Sequence, residues 1–235
     1  RDLPVEAVAH GPRHSVFALA ARPGPAALPG SERGDRAGSE SIYARDETRF
    51  SVAGETALAL SRPHDISEDA GHLGALSVLV EALPRRPPAR ALVFRCGYGA
   101  LPLALRRRAP EALVVAQDRD LLDTTFLRRN ARALALDGAL LRVEETLFPA
   151  EAAREGERFD LVAGELSASA GEAVSARELS EAHALLTPGG EALVLLTPRQ
   201  RREWLPAVVP PGSAATILLE RPQMCVLRLS RPRGR

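Results

Sequence analysis

Apolar positions in the second half of the chain switch repeatedly between two periods. Leu73, Leu76, Leu79, Val80 and Leu83 recur at helical spacing, and the proline-rich stretch 84–88 stops that helix. Ala91–Phe94 is a short continuous apolar run, the mark of a strand buried on both faces, and Cys96-Gly97-Tyr98-Gly99 cuts it off. Helical spacing returns over 101–108 and stops at Pro110, and 112–116 is a second apolar run. Helix 121–136 follows, with Phe126, Leu127, Ala131 and Leu134 on one stripe and Gly138 as its expected breaker. Further strands are expected at 140–143, 159–163 and 191–196, and helices over 176–186 and from 199 to 205. Residues 217–219 and 225–229 are suited to a terminal antiparallel hairpin.

Strands that alternate with helices predict a doubly wound α/β fold: a mainly parallel sheet covered on both faces. The first 60 residues read differently. Val5 to His10 and Ser15 to Ala20 suit two short strands around Gly11-Pro12, and strand character returns over 41–60. Between them, 22–40 is rich in Gly, Pro, Ser and Arg and reads as a mobile loop. The expected organisation is a small β-rich segment over 1–60 and the α/β domain over 61–235.

Composition narrows the picture only slightly. A formal net charge of +1 gives no general attraction to nucleic acid or membrane. The chain holds no lysine, and its 31 basic residues, all arginine, are scattered as in a protein from a GC-rich genome. Two cysteines exclude a disulfide scaffold, and no apolar run is long enough to span a bilayer. A cytoplasmic protein without a membrane partner is the expectation.

The candidate chemistry sits where the first α/β strand ends. Gly97 and Gly99 let the backbone come close to a ligand, and Asp118, after the next strand, can accept from ribose hydroxyls. A nicotinamide enzyme would need a third glycine where Pro102 stands. Cys96 precedes a helix but has no histidine close in sequence, which favours packing or cofactor lining over a nucleophile. His64, Asp65, Asp69 and His72 match no tight metal-ligand grouping, so no metal is expected. Arg106-Arg107-Arg108, Arg128-Arg129 and Arg201-Arg202 suit either RNA phosphates or solvated helix faces.

Four cues occur in order: Cys96-Gly97-Tyr98-Gly99, Arg128-Arg129-Asn130-Ala131, Phe159-Asp160-Leu161-Val162, and Leu186-Thr187-Pro188-Gly189-Gly190-Glu191. On these the chain resembles the class I S-adenosylmethionine (SAM) methyltransferases. The nearest group is the methyltransferase small domain family, which includes ribosomal RNA guanine-N2 methyltransferases. The resemblance covers roughly 50–229. It implies a Rossmann-like fold, SAM as cofactor, and an acceptor that is RNA, as in rRNA processing, or a small molecule. It implies that Cys96, Gly97, Tyr98 and Gly99 line the methionine end of SAM and that Asp118 holds the ribose. Asp69 and Gly71 fall where the preceding helix closes over the cofactor, and 143–147 flanks the adenine. Thr146 takes a place often acidic in relatives, which Glu144 or Glu145 can fill.

Two departures stand out. The acid that opens the family's glycine turn falls at Val93, and a further glycine falls at Arg95. A guanidinium about 4 Å from a sulfonium repels it by roughly 1 to 4 kcal/mol, unless Arg95 turns to solvent or pairs with Glu165. The Asn-Pro-Pro-aromatic loop that grips a target amine is replaced by Gly164-Glu165-Leu166-Ser167-Ala168-Ser169. Glu165 is then the candidate catalytic residue, as acceptor or base. The alternative reading is a catalytically degenerate binding or scaffold protein on the same fold.

Overall fold

The computed structural model describes residues 5–10, 15–19, 43–51, 57–64, 70–166 and 171–232. The stretch 22–40, Asp65, Asp69 and Ser167–Ser169 lie outside the described residues. The chain divides into two compact units, Arg1–Ile42 and Tyr43–Arg235. In the smaller, β1 (Val5–His10) pairs antiparallel with β2 (Ser15–Leu19), as the sequence predicts.

The larger unit opens with the antiparallel hairpin β3 (Ala44–Phe50) and β4 (Leu58–Pro63). This hairpin is part of the same unit as the α/β domain, so the division falls near residue 42 rather than at 60. Its apolar side supplies Phe50, Leu58 and Leu60 to the main core. Next come helix α1 (Ala70–Glu81), strand β5 (Arg90–Phe94), helix α2 (Ala100–Arg108), strand β6 (Leu113–Asp118) and helix α3 (Leu121–Ala133). Strand β7 (Leu141–Glu145), helix α4 (Pro149–Ala152), strand β8 (Phe159–Glu165), helix α5 (Glu172–Ala184) and strand β9 (Leu186–Leu196) follow. The chain ends with helices α6 (Pro198–Glu203) and α7 (Leu205–Val208) and strands β10 (Ala214–Arg221) and β11 (Met224–Ser230).

Seven strands form one sheet in the order β10-β11-β9-β8-β5-β6-β7. From β9 to β7 all neighbours are parallel, and the closing hairpin adds β11 antiparallel beside β9. Alternate residues of β5 feed two cores, Ala91 and Val93 on one side, Leu92 and Phe94 on the other. Helices α1, α2 and α3 cover the first face, and α5 and α7 cover the second. Burial on both faces is why these strands read as unbroken apolar runs.

Three boundaries differ from the sequence reading. Helix α3 stops at Ala133, two residues before Ala135, which takes φ +53 while Leu136 N–H donates to Ala131 O (2.8 Å), a Schellman closure; Gly138 only turns the chain into β7. Strand β9 begins before Thr187-Pro188-Gly189-Gly190, because Gly189 N–H donates to Arg231 O and Gly190 O accepts from Arg231 N–H. Helix α5 begins at Glu172, one residue after Gly171, which takes φ +81.

An ion cluster fastens the strands at the end opposite their carboxyl edge. Glu157, just before β8, has a side chain only 4% exposed. It accepts from Arg142 Nη2 of β7 (2.6 Å) and from Arg154 N–H (2.9 Å), and it pairs with Arg90 of β5. Burial works against its ionisation, but Arg142, the Arg154 amide and Arg90 outweigh it and hold the pKa at about 2. The folded pKa lies below the unfolded one, so this stabilisation is complete above pH ~4.5 and fades as pH falls toward ~2. Glu157→Gln should therefore cost about 3 kcal/mol at pH 7, and less than half of that at pH 3, in urea titrations. A penalty equal at both pH values would contradict this assignment.

Candidate functional site

Connections from β5 run through β6 to β7 on one side, and through β8 to β9 on the other. The reversal between β5 and β8 opens a crevice at the carboxyl ends of the strands, the usual ligand place in a doubly wound sheet. The 95–99 turn, the 119–120 turn and the 146–148 segment border it.

The turn after β5 is backbone-driven. Cys96 N–H donates to Gln117 O (3.0 Å), which ties the turn to β6. Arg95, Gly97 and Gly99 take φ values of +50, +52 and +111. Gly99 begins α2, and a Cβ there would come 2.6 Å from Leu127 Cδ1, so this glycine is needed for packing as well as for backbone angle. Gly97 N–H donates to Asp118 Oδ2 (2.9 Å), and Asp118 Oδ1 accepts from the amides of Arg119 (2.8 Å) and Asp120 (3.1 Å). Asp118 thus reaches the glycine turn and is the peg that holds both turns. Three contacts leave room for a further donor on a carboxylate with about four lone-pair positions.

Asn130 secures the turn from below. Only 1% exposed, it accepts from Ser61 N–H (2.8 Å) and donates to Ser61 O (3.0 Å) and Tyr98 O (2.9 Å). The Arg128-Arg129-Asn130-Ala131 cue therefore has a physical reason: the amide stitches β4 and the glycine turn to α3. Cys96 and Tyr98 are each 3% exposed and belong to the core, so they support the turn's shape. Gly71 lies in the first turn of α1.

Glu145 ends β7 with one oxygen engaged by Arg128 Nη1 (2.5 Å) and Thr124 Oγ1 (3.1 Å). Its carboxyl is held below the usual range, chiefly by the Arg128 hydrogen bond. It braces α3 against β7 beside the crevice. Glu165 is the last residue of β8, half-buried at the carboxyl edge and beside Leu195 of β9.

Arg95 meets none of the fates the sequence suggested. Its Nε and Nη2 both lie 2.8 Å from Oε1 of Glu178, on α5, instead of pairing with Glu165 or turning to solvent. Glu178 is 2% exposed, and its Oε2 and the nearby Ser175 Oγ are buried without a hydrogen-bond partner. Burial pushes the Glu178 carboxyl up, against the pull of Arg95 and Arg119. Sequence reasoning missed Glu178. The available signal was an acid on the buried stripe of a helix, between Ser175 and Leu179 and Ala182.

Large apolar side chains are rarely exposed among the described residues. Tyr43, Leu121 (62%) and Leu147 (63%) are the examples, and the last two flank the crevice. Leu121 follows Asp120, and Leu147 follows Thr146, whose N–H donates to Asp118 O (3.1 Å). The basic pairs and run are largely committed elsewhere: Arg106 to carbonyls at the end of α2, Arg108 to Val80 O, Arg128 to Glu145, Arg201 to Glu220. No cluster able to hold a metal is present among the described residues, and none of their helices is long and apolar enough to cross a membrane.

A family model, the methyltransferase small domain, matches residues 70–205. The chain belongs to the methyltransferase small domain family. The Thermus thermophilus 16S rRNA N2 G1207 methyltransferase RsmC, solved with AdoMet and guanosine, is 23% identical with a TM-score of 0.61, over 79% of this chain and 50% of that one. TrmN from Thermus thermophilus is 25% identical with a TM-score of 0.56, over 68% and 48%. A methyltransferase from Pyrococcus furiosus is 15% identical with a TM-score of 0.60, over 74% and 89%. The chain thus spans about half the length of the two Thermus proteins. No curated protein sequence matches.

The three bonds of Asn130 give a first test of the site. Asn130→Ala leaves the Ser61 and Tyr98 groups without their partner and should cost about 2 to 4 kcal/mol in chemical denaturation. A cost under about 0.5 kcal/mol would show that the turn does not depend on this stitch.

Proposed function

We propose that the crevice binds SAM and that the protein transfers its methyl group to RNA. The observation that carries the binding reading is the convergence of Asp118 with two exposed leucines, 121 and 147, at the carboxyl ends of β6 and β7. A carboxylate fits a vicinal diol, and bare apolar side chains fit the faces of a flat base. The donor set therefore suits a nucleoside. Asp118 would hold the ribose, Leu121 and Leu147 would cover the adenine, and the 95–99 turn would border the methionine end. Asp69 and Gly71 would close over the cofactor.

Once bound, SAM supplies an electrophilic methyl group, so the chain's own task is alignment. Glu165, at the carboxyl end of β8, would accept a hydrogen bond from the incoming nucleophile and take its proton. An RNA acceptor is supported by the family and by the named activity of RsmC, and the same reading puts the protein in the cytoplasm.

One observation favours a second reading. Val93 is fully buried in the core, and Arg95 takes a left-handed backbone conformation in the glycine turn. A protein that keeps SAM without transferring its methyl group would also tolerate both.

Calorimetry with SAM and S-adenosylhomocysteine tests the binding reading. Both should bind, and no heat at millimolar ligand would reject it. Leu147→Ser should weaken binding about five- to tenfold by removing apolar cover. Its melting temperature should stay unchanged, because the side chain is exposed. Transfer of labelled methyl to ribosomal RNA, reduced in Glu165→Gln, supports the enzyme. Tight binding with no transfer to any RNA supports the scaffold.

A further inference from the structure

Arg95 carries two local costs at once. A non-glycine residue at φ +50 is uncommon, and its anchor Glu178 is buried with one oxygen unpartnered. Costs that gather at one point of a ligand crevice mark a place where shape serves binding. The arrangement also has a direction. Nε donates to Glu178 Oε1 and Nη2 lies 2.8 Å from the same oxygen, which ties one edge of the guanidinium to Glu178 and leaves Nη1 for another acceptor. The Arg95 side chain is 19% exposed, while Glu178 is only 2% exposed. The buried carboxylate neutralises much of the charge that would otherwise repel a sulfonium.

Resting on the SAM reading above, we infer that Arg95, aimed by Glu178, binds the carboxylate at the amino-acid end of the cofactor. A guanidinium with one edge pinned presents its other donors at fixed spacing, which suits a carboxylate. The neighbouring Val93 is apolar and buried, so the first residues of this turn present a cation and no acid to the amino-acid end. Arg95 is a binding residue in this scheme, and Glu178 is a positioning residue that acts through it.

Calorimetry with S-adenosylhomocysteine, its decarboxylated and deaminated analogues, and 5′-methylthioadenosine tests the inference. In the unaltered protein, loss of the carboxylate should weaken binding about ten- to a hundredfold, and loss of the amine by much less. Arg95→Gln should bind S-adenosylhomocysteine no better than its decarboxylated analogue, with 5′-methylthioadenosine affinity retained. Glu178→Gln should give a smaller loss confined to ligands that bear the carboxylate. An amine that matters more than the carboxylate in the unaltered protein overturns the inference, whether or not either variant folds. So does an Arg95→Gln variant that still discriminates for the carboxylate. If none of the four ligands binds the unaltered protein, the SAM reading itself fails.

Discussion

The bond from Gly97 N–H to Asp118 is the joint on which the site depends. Asp118 is 7% exposed and accepts from three backbone amides, drawn from the turn after β5 and the turn after β6. A buried carboxylate is stable only when satisfied in this way. The bond therefore fixes the spacing of two loops that would otherwise move independently at the mouth of the crevice. Asn130 holds the same turn from the α3 side through Tyr98 O, and Gly99 allows Leu127 to pack beneath it. The turn is braced from two directions before any ligand arrives, which lowers the ordering cost of binding.

Within that frame, the substitutions at Val93 and Arg95 are coherent. Val93 extends the core that α1 to α3 share with the sheet, and so adds apolar contact where an acid would have needed a partner. Arg95 points away from that core to Glu178 on the opposite face. Gly164 keeps β8 close to β5, since a Cβ there would come 2.5 Å from Phe94 O.

Much of the scaffold was legible in the sequence because each strand is buried on both faces and each helix carries one apolar stripe. The family cues were legible too, and three of them have physical causes in the structure: the positive φ values of Gly97 and Gly99, the three bonds of Asn130, and the Arg231 bonds at Gly189 and Gly190. The partner of Arg95 was not legible. Glu178 lies 83 residues away, and only the tertiary fold brings α5 over the end of β5. The end of α3 was misplaced for a local reason. Glycine is the expected left-handed residue, and here an alanine takes that conformation because Leu136 N–H reaches back to Ala131 O.

A crystal structure of the protein with S-adenosylhomocysteine tests the central claim most directly. The account predicts the ribose hydroxyls within hydrogen-bonding distance of Asp118, with the Gly97 bond intact and the base between the Leu121 and Leu147 side chains. A nucleoside bound elsewhere, or an Asp118 side chain that has left Gly97 and faces away from the sugar, would contradict it.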